Sequence, residues 1–181
     1  MQKHNIRELA DELGINQKEI KPMSFLNADR GASNPLKDKE NCQSVVVAFE
    51  VRRRGLNVYA LPYSAEVDSA SYVLGESFQN AWINPKNGKI IKPTIIRGTT
   101  DKEILARFKV QTRSDGRYIL GINTKDGRGH VLSVERINGE LLLKDEQADE
   151  FISIDSIDNI YVLKSLKLTK PYLTKIWSSQ F

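Results

Sequence analysis

Asn41-Cys42-Gln43-Ser44-Val45-Val46-Val47-Ala48-Phe49-Glu50-Val51-Arg52-Arg53-Arg54-Gly55 is the stretch on which the fold turns. Val45, Val46, Val47, Ala48, Phe49 and Val51 make a helical projection apolar nearly all round, which marks a helix buried in the middle of a domain. Asn41 suits the N-cap, because its side-chain oxygen can accept an unpaired backbone N–H. Gly55 can take the left-handed conformation that ends a helix, and the three arginines before it complement the helix dipole. Cys42 then lies in the first turn, where the positive end of the dipole stabilises a thiolate. Three consecutive β-branched valines also fit a buried strand, but the length of the run and its two end signals favour the helix. A lone cysteine is more often a small buried hydrophobe than a nucleophile, so Cys42 needs a histidine elsewhere in the chain.

The surrounding chain has 181 residues, enough for a single domain with a substantial core, in which residues 1–40 form a helical and loop-like N-terminal region. Its 40% hydrophobic and 28% charged content is that of an ordinary globular protein. No apolar run reaches the length of a membrane span, and the first residues lack the apolar centre of a signal peptide. One cysteine excludes an internal disulfide, and one cysteine with two histidines argues against a zinc site. No cofactor motif stands out. The net charge of +4 is spread along the chain and not gathered into a patch, which argues against nucleic-acid binding as the main role.

Taken in order, residues 5–13 read as a short amphipathic helix, with Ile6, Leu9, Ala10 and Leu13 on one face. Residues 24–29 suit another turn or two of helix, and 31–40 are a polar loop that delivers the chain to Cys42. Residues 56–61 look like a strand with Val58 and Ala60 on one face. Trp82 and Ile83 begin a short strand. Thr100 and Glu103 form a capping-box pattern ahead of an apolar face made by Ile104, Leu105 and Phe108. From Arg117 the signal is β: strands over 118–123, 130–137, 140–144 and 160–168. The tail aromatics Trp177 and Phe181 suggest docking on the body. His4 lies in an N-terminal stretch and receives no role.

Asn138-Gly139 is a strong two-residue hairpin signal and permits a geometric test. If those residues are the whole loop, Ile137 pairs with Glu140, and counting back by equal steps sets Leu132 against Asp145 and His130 against Gln147. His130 and Asp145 then share one face as diagonal neighbours, roughly 7–8 Å apart on a sheet. Asp145 can accept the imidazole N–H and so fix its tautomer. The other ring nitrogen faces whatever packs on the sheet. If that is the start of the Cys42 helix, the three side chains form a nucleophile, a base and an orienter. The plainer alternative is a strand-end histidine with an incidental acidic neighbour.

These pieces together resemble the papain-fold toxin domains of the glutamine-deamidase type, found in bacterial polymorphic toxins and at the C-termini of phage Mu-type head-morphogenesis proteins. The matching residues are the block from Asn41 to Gly55, then Asn57-Val58-Tyr59-Ala60-Leu61-Pro62, then Gly129-His130-Val131 with Val134 and Glu135, and last Asp145-Glu146-Gln147. The resemblance covers neither 63–100 nor the chain after 150. Two positions depart from the family pattern: Glu146, where proline is common, and Val45, often a second cysteine.

The resemblance implies an α+β, papain-like fold, with a central helix bearing Cys42 packed on an antiparallel sheet bearing His130 and Asp145. It implies Cys42 as nucleophile, His130 as base and Asp145 as orienter, acting on a glutamine carboxamide of a protein substrate. Asn41 or Gln43 is a candidate for an oxyanion donor beside the Cys42 N–H, and Gln147 for positioning His130; ordinary polar roles at a helix start and a strand end suit all three at least as well. The family context adds an immunity protein as a second partner, and a cytoplasmic site or delivery into a target cell. The same residues suit a cysteine protease or a transglutaminase, and a phage head or interaction module could keep the fold without catalysis.

Overall fold

Residues 42–53 do form a helix. In the computed structural model, which describes residues 21–65, 74, 77–84, 87–168 and 172–173, helix α1 spans Cys42–Arg53 and buries every residue from Ser44 to Val51. Three valines cost some helix propensity, but burial on all sides outweighs it. The end signal at Gly55 is fully used. Its φ is 103°, its N–H donates to Arg52 O at 2.9 Å, and the Leu56 N–H donates to Val51 O at 3.4 Å. That is the paired closure of a left-handed helix terminus.

The start signal is used differently. Asn41 occupies the cap position and its carbonyl accepts the Val45 N–H at 3.0 Å, but its side chain makes no capping bond. The arginine run also does more than complement the dipole. Glu50, buried in α1, pairs with Arg53 at 3.4 Å, Arg54 at 2.7 Å and Arg117 at 2.9 Å. Arg53 reaches on to Glu135 at 2.6 Å.

The protein is α+β. The remaining elements are β1 (Trp82–Ile83), β2 (Thr94–Ile96), α2 (Asp101–Gln111), β3 (Gly116–Thr124), β4 (Gly129–Ile137), β5 (Glu140–Asp145), β6 (Glu150–Ile152), β7 (Ile160–Leu168) and β8 (Tyr172–Leu173), with a 3-10 turn at Phe78–Ala81 ahead of β1. Six strands form an antiparallel sheet in the order β2-β7-β3-β4-β5-β6. The tail strand β8 pairs with β1 in a small second sheet.

A helix covers each face of the large sheet. Ile119, Val131 and Leu166 pack with the valines of α1. Leu120, Leu132 and Leu163 pack with Ile104, Leu105 and Phe108 of α2. Alternation along β3 and β4 sends neighbouring residues to opposite cores. Thr100 Oγ1 accepts the Glu103 N–H at 3.2 Å as expected, while Glu103 reaches back to the Thr99 N–H instead of its own cap residue.

Two expectations are corrected. Residues 56–61 keep the predicted alternation, with Val58 and Ala60 buried and Tyr59 and Leu61 exposed, but they form no strand. Their backbone groups go to other partners: the Ala60 N–H to Ser33 O at 2.8 Å, Val58 O to Arg52 and Leu61 O to Asn41. Residues 24–29 hold a bend at Phe25 and a turn at Leu26 and Asn27, not helix, and Asp29, with φ of 32°, lies outside the helical region. The expected helix over 5–13, His4, Trp177 and Phe181 lie outside the described residues. No described helix is long and apolar enough to cross a membrane.

Candidate active site

The Asn138-Gly139 hairpin has the expected register. Ile137 pairs with Glu140, and the ladder runs to Ser133 opposite Lys144. Beyond that last pair lie His130, near the start of β4, and Asp145, the final residue of β5. The His130 Nε2–H donates to Asp145 Oδ2 at 2.7 Å. The other carboxylate oxygen, Oδ1, accepts the backbone N–H groups of Gln147 at 3.0 Å and Ala148 at 3.2 Å. Asp145 is thus held by the turn that follows it, and it fixes the ring in turn.

Cys42, half-buried at the first position of α1, lies close enough to the His130 ring for its charge to raise the imidazole pKa. With Nε2 committed to Asp145, Nδ1 is the nitrogen left for the thiol. The geometry differs from a helix laid on the histidine's own face. Alternation sets His130 with Leu132, which faces α2, whereas α1 packs on the opposite face through Val131. The thiol and the ring therefore meet at the end of the sheet, where β4 begins.

The electrostatics follow from this contact. Burial pulls the imidazole pKa down, but hydrogen bonds and charges from Asp145 and Cys42 outweigh it and raise it to about 10. The ring is an imidazolium at neutral pH. Burial pushes Asp145 upward, but the His130 hydrogen bond and charge, with the two backbone N–H groups, hold it below the usual carboxylate range. Its side chain is 17% exposed and that of His130 31%, so the pair is partly shielded yet reachable from solvent.

A chain of amides ties the two halves together. Gln147 Nε2 donates to Asn41 Oδ1 at 3.3 Å, and Asn41 Nδ2 donates to Leu61 O at 2.9 Å. Asn41 Nδ2 also meets Asn34 Oδ1 at 3.4 Å, and Asn34 Nδ2 donates to Gln147 O at 3.2 Å and to Asp38 O at 2.9 Å. Both ends of the Asn41 amide are occupied, so it braces the start of α1 against the Asp145 turn and is not a free donor. Gln147 acts on the same brace. Gln43, half-buried in the first turn, enters none of these bonds. Because the Asn41 side chain does not cap α1, the first-turn N–H groups remain donors that point along the helix axis at its start.

Asn34 was not legible in the sequence. It is buried in the middle of a polar loop, and neither periodicity nor spacing distinguishes it from its neighbours. Among the described residues no group of three or more His, Cys, Asp and Glu side chains is arranged to hold a metal ion. No protein-family model matches the chain, and no curated protein matches it.

Proposed function

We propose that this chain is a cysteine-dependent protein glutamine deamidase of the papain-like, toxin or effector type. One observation carries the reading: a single imidazole has Asp145 on Nε2 at 2.7 Å and lies within electrostatic reach of the thiol of Cys42, at a helix start. A charged histidine beside a cysteine favours the thiolate, the nucleophilic form. The resemblance of the Asn41–Gly55, His130 and Asp145 segments to the deamidase domains supplies the choice of substrate.

The Cys42 Sγ attacks the carbon of a glutamine carboxamide, and the carbonyl electron pair moves onto oxygen. The first-turn N–H groups of α1, that of Cys42 foremost, are the donors for this oxyanion. His130 gives its proton to the amide nitrogen, the C–N bond breaks and ammonia leaves. The thioester carries no charge at sulfur, so His130 has then lost one of its two supports and its pKa falls toward neutrality. That makes it a competent base for the next step. It takes a proton from water, whose oxygen attacks the thioester carbon. The C–S bond breaks, restoring the thiolate and leaving glutamate. Asp145 holds the ring and its charge throughout.

The test is proteomics on a cell lysate treated with the protein or with Cys42→Ala. Glutamine-to-glutamate mass shifts that vanish with Cys42→Ala are the expected result and would identify the target. New chain termini would make the protein a protease, and new isopeptide cross-links a transglutaminase. No change of any kind in lysates of several hosts would sink the enzyme reading for those hosts.

A further inference from the structure

Strands β4 and β5 part company after the pair Ser133–Lys144, and the site lies in the fork. Glu146 follows Asp145 and turns inward until only 1% of it is exposed. Its Oε2 accepts the Ser133 N–H at 3.2 Å. Its Oε1 is buried with no hydrogen-bond partner among the described residues. Among the described residues no cation pairs with it: the adjacent Lys144 is taken by Asp149 at 2.7 Å, and Asp145, which acts on Glu146 through its charge, is itself negative. An ionised carboxylate in such surroundings is costly. Burial pushes the group up to about 8, Asp145 adds to this and hydrogen bonds with Ser133 oppose it, so the carboxyl is protonated at neutral pH.

We propose that Glu146 is a positioning residue of the site: its carboxyl holds the Ser133 N–H at the last rung of the β4–β5 ladder and so fixes the fork that sets His130 against Asp145. The inference rests on reading Cys42, His130 and Asp145 as the catalytic group. It assigns a role to a buried acid that takes no part in the chemical steps. Its neutrality matters, because a second negative charge beside Asp145 would pull the imidazolium away from the thiol. A side chain that accepts the Ser133 N–H without charge is sufficient for the task.

The experiment is the rate at which iodoacetamide alkylates Cys42 in the whole chain at about pH 6.5, where an ordinary thiol is almost wholly protonated and slow. Wild type is expected to react far faster than His130→Ala. Glu146→Gln, whose amide oxygen accepts the same N–H, should stay within about twofold of wild type. Glu146→Leu, which cannot accept it, and Glu146→Asp, which is too short to reach it, should be slower by about fivefold or more. In both, the His130 ring resonances should titrate closer to the ordinary value while thermal melts still show a cooperative fold.

If Glu146→Leu does not fold, the comparison of Glu146→Asp with Glu146→Gln decides. Wild-type rates and His130 titration in Glu146→Asp or Glu146→Leu would overturn the positioning role and leave the catalytic reading standing. A Glu146→Gln variant as slow as Glu146→Asp would overturn it too. Wild type no faster than His130→Ala would remove the catalytic reading itself, and this inference with it.

Discussion

His130 is pulled in two directions, and the winner decides what the site can do. Burial alone would leave a neutral ring, while Asp145 and Cys42 raise it to about 10. The ring resonances in wild type are therefore expected to titrate near pH 10, and those of Asp145→Asn and Cys42→Ala well below it, as followed by NMR. A group raised in the folded state stabilises the fold fully below its unfolded value of 6.5, and that contribution fades as pH rises through about 10. Asp145 has the opposite sign. Its contribution is present above the unfolded value of 3.8 and is lost as pH falls through the lowered folded value. The denaturant stability lost in His130→Ala should accordingly be largest between those limits and shrink on the alkaline side. Glu146 is a third case, an acid raised from 4.5 to about 8, so its burial costs nothing in acid and an increasing amount as pH rises between those values. Glu146→Gln should melt increasingly above wild type from pH 5 to pH 9.

Among the elements, those set by local chemistry were legible, and those set by distant contacts were not. The hairpin at Asn138-Gly139 was readable because two left-handed residues, with φ of 52° and 83°, define the turn and its register on their own. Alternation over 56–61 correctly gave the buried side but not the absence of a ladder. Periodicity reports which side chains face a core, not where the backbone hydrogen bonds go. Asn41 looked like a cap because its type suits one, but its amide is drawn to Leu61 and Gln147, which lie far away in the chain. Gly121 is another such case. A Cβ there would lie 2.5 Å from Cε1 of Phe78, so the 3-10 turn at Phe78–Ala81 approaches β3 as closely as it does only because residue 121 lacks a side chain. Gly121→Ala is expected to destabilise by about 1–3 kcal/mol through overpacking. Pairing it with Phe78→Leu should recover part of the loss, seen as a non-additive term in a double-mutant cycle of melts.

At the scale of the whole molecule, the site depends on how α1 is seated on the sheet. The sequence could say that α1 was buried and that His130 and Asp145 were neighbours. It could not say that α1 lies on the face opposite to that of Leu132, because alternation fixes relative sides and not which helix covers which side. Nor could it assign the arginine run, since Arg117 and Glu135 come from strands distant in the chain. Those partners make Glu50 the point where helix and sheet are joined: Arg53 and Arg54 approach from α1 and Arg117 from β3, with Arg53 continuing to Glu135 on β4. Removing one member of a buried ion network leaves its partners uncompensated, at a cost of about 3–5 kcal/mol. Glu50→Ala should lose stability on that scale. Because α1 also carries Cys42, it should slow thiol alkylation under conditions where the variant is still folded. Asp126→Ala is the control: its pair with Arg128 is exposed, so its loss should change the melt little and leave the thiol as reactive as before. Equal alkylation rates in Glu50→Ala and Asp126→Ala would show that the anchor at the end of α1 and the thiol at its start are independent.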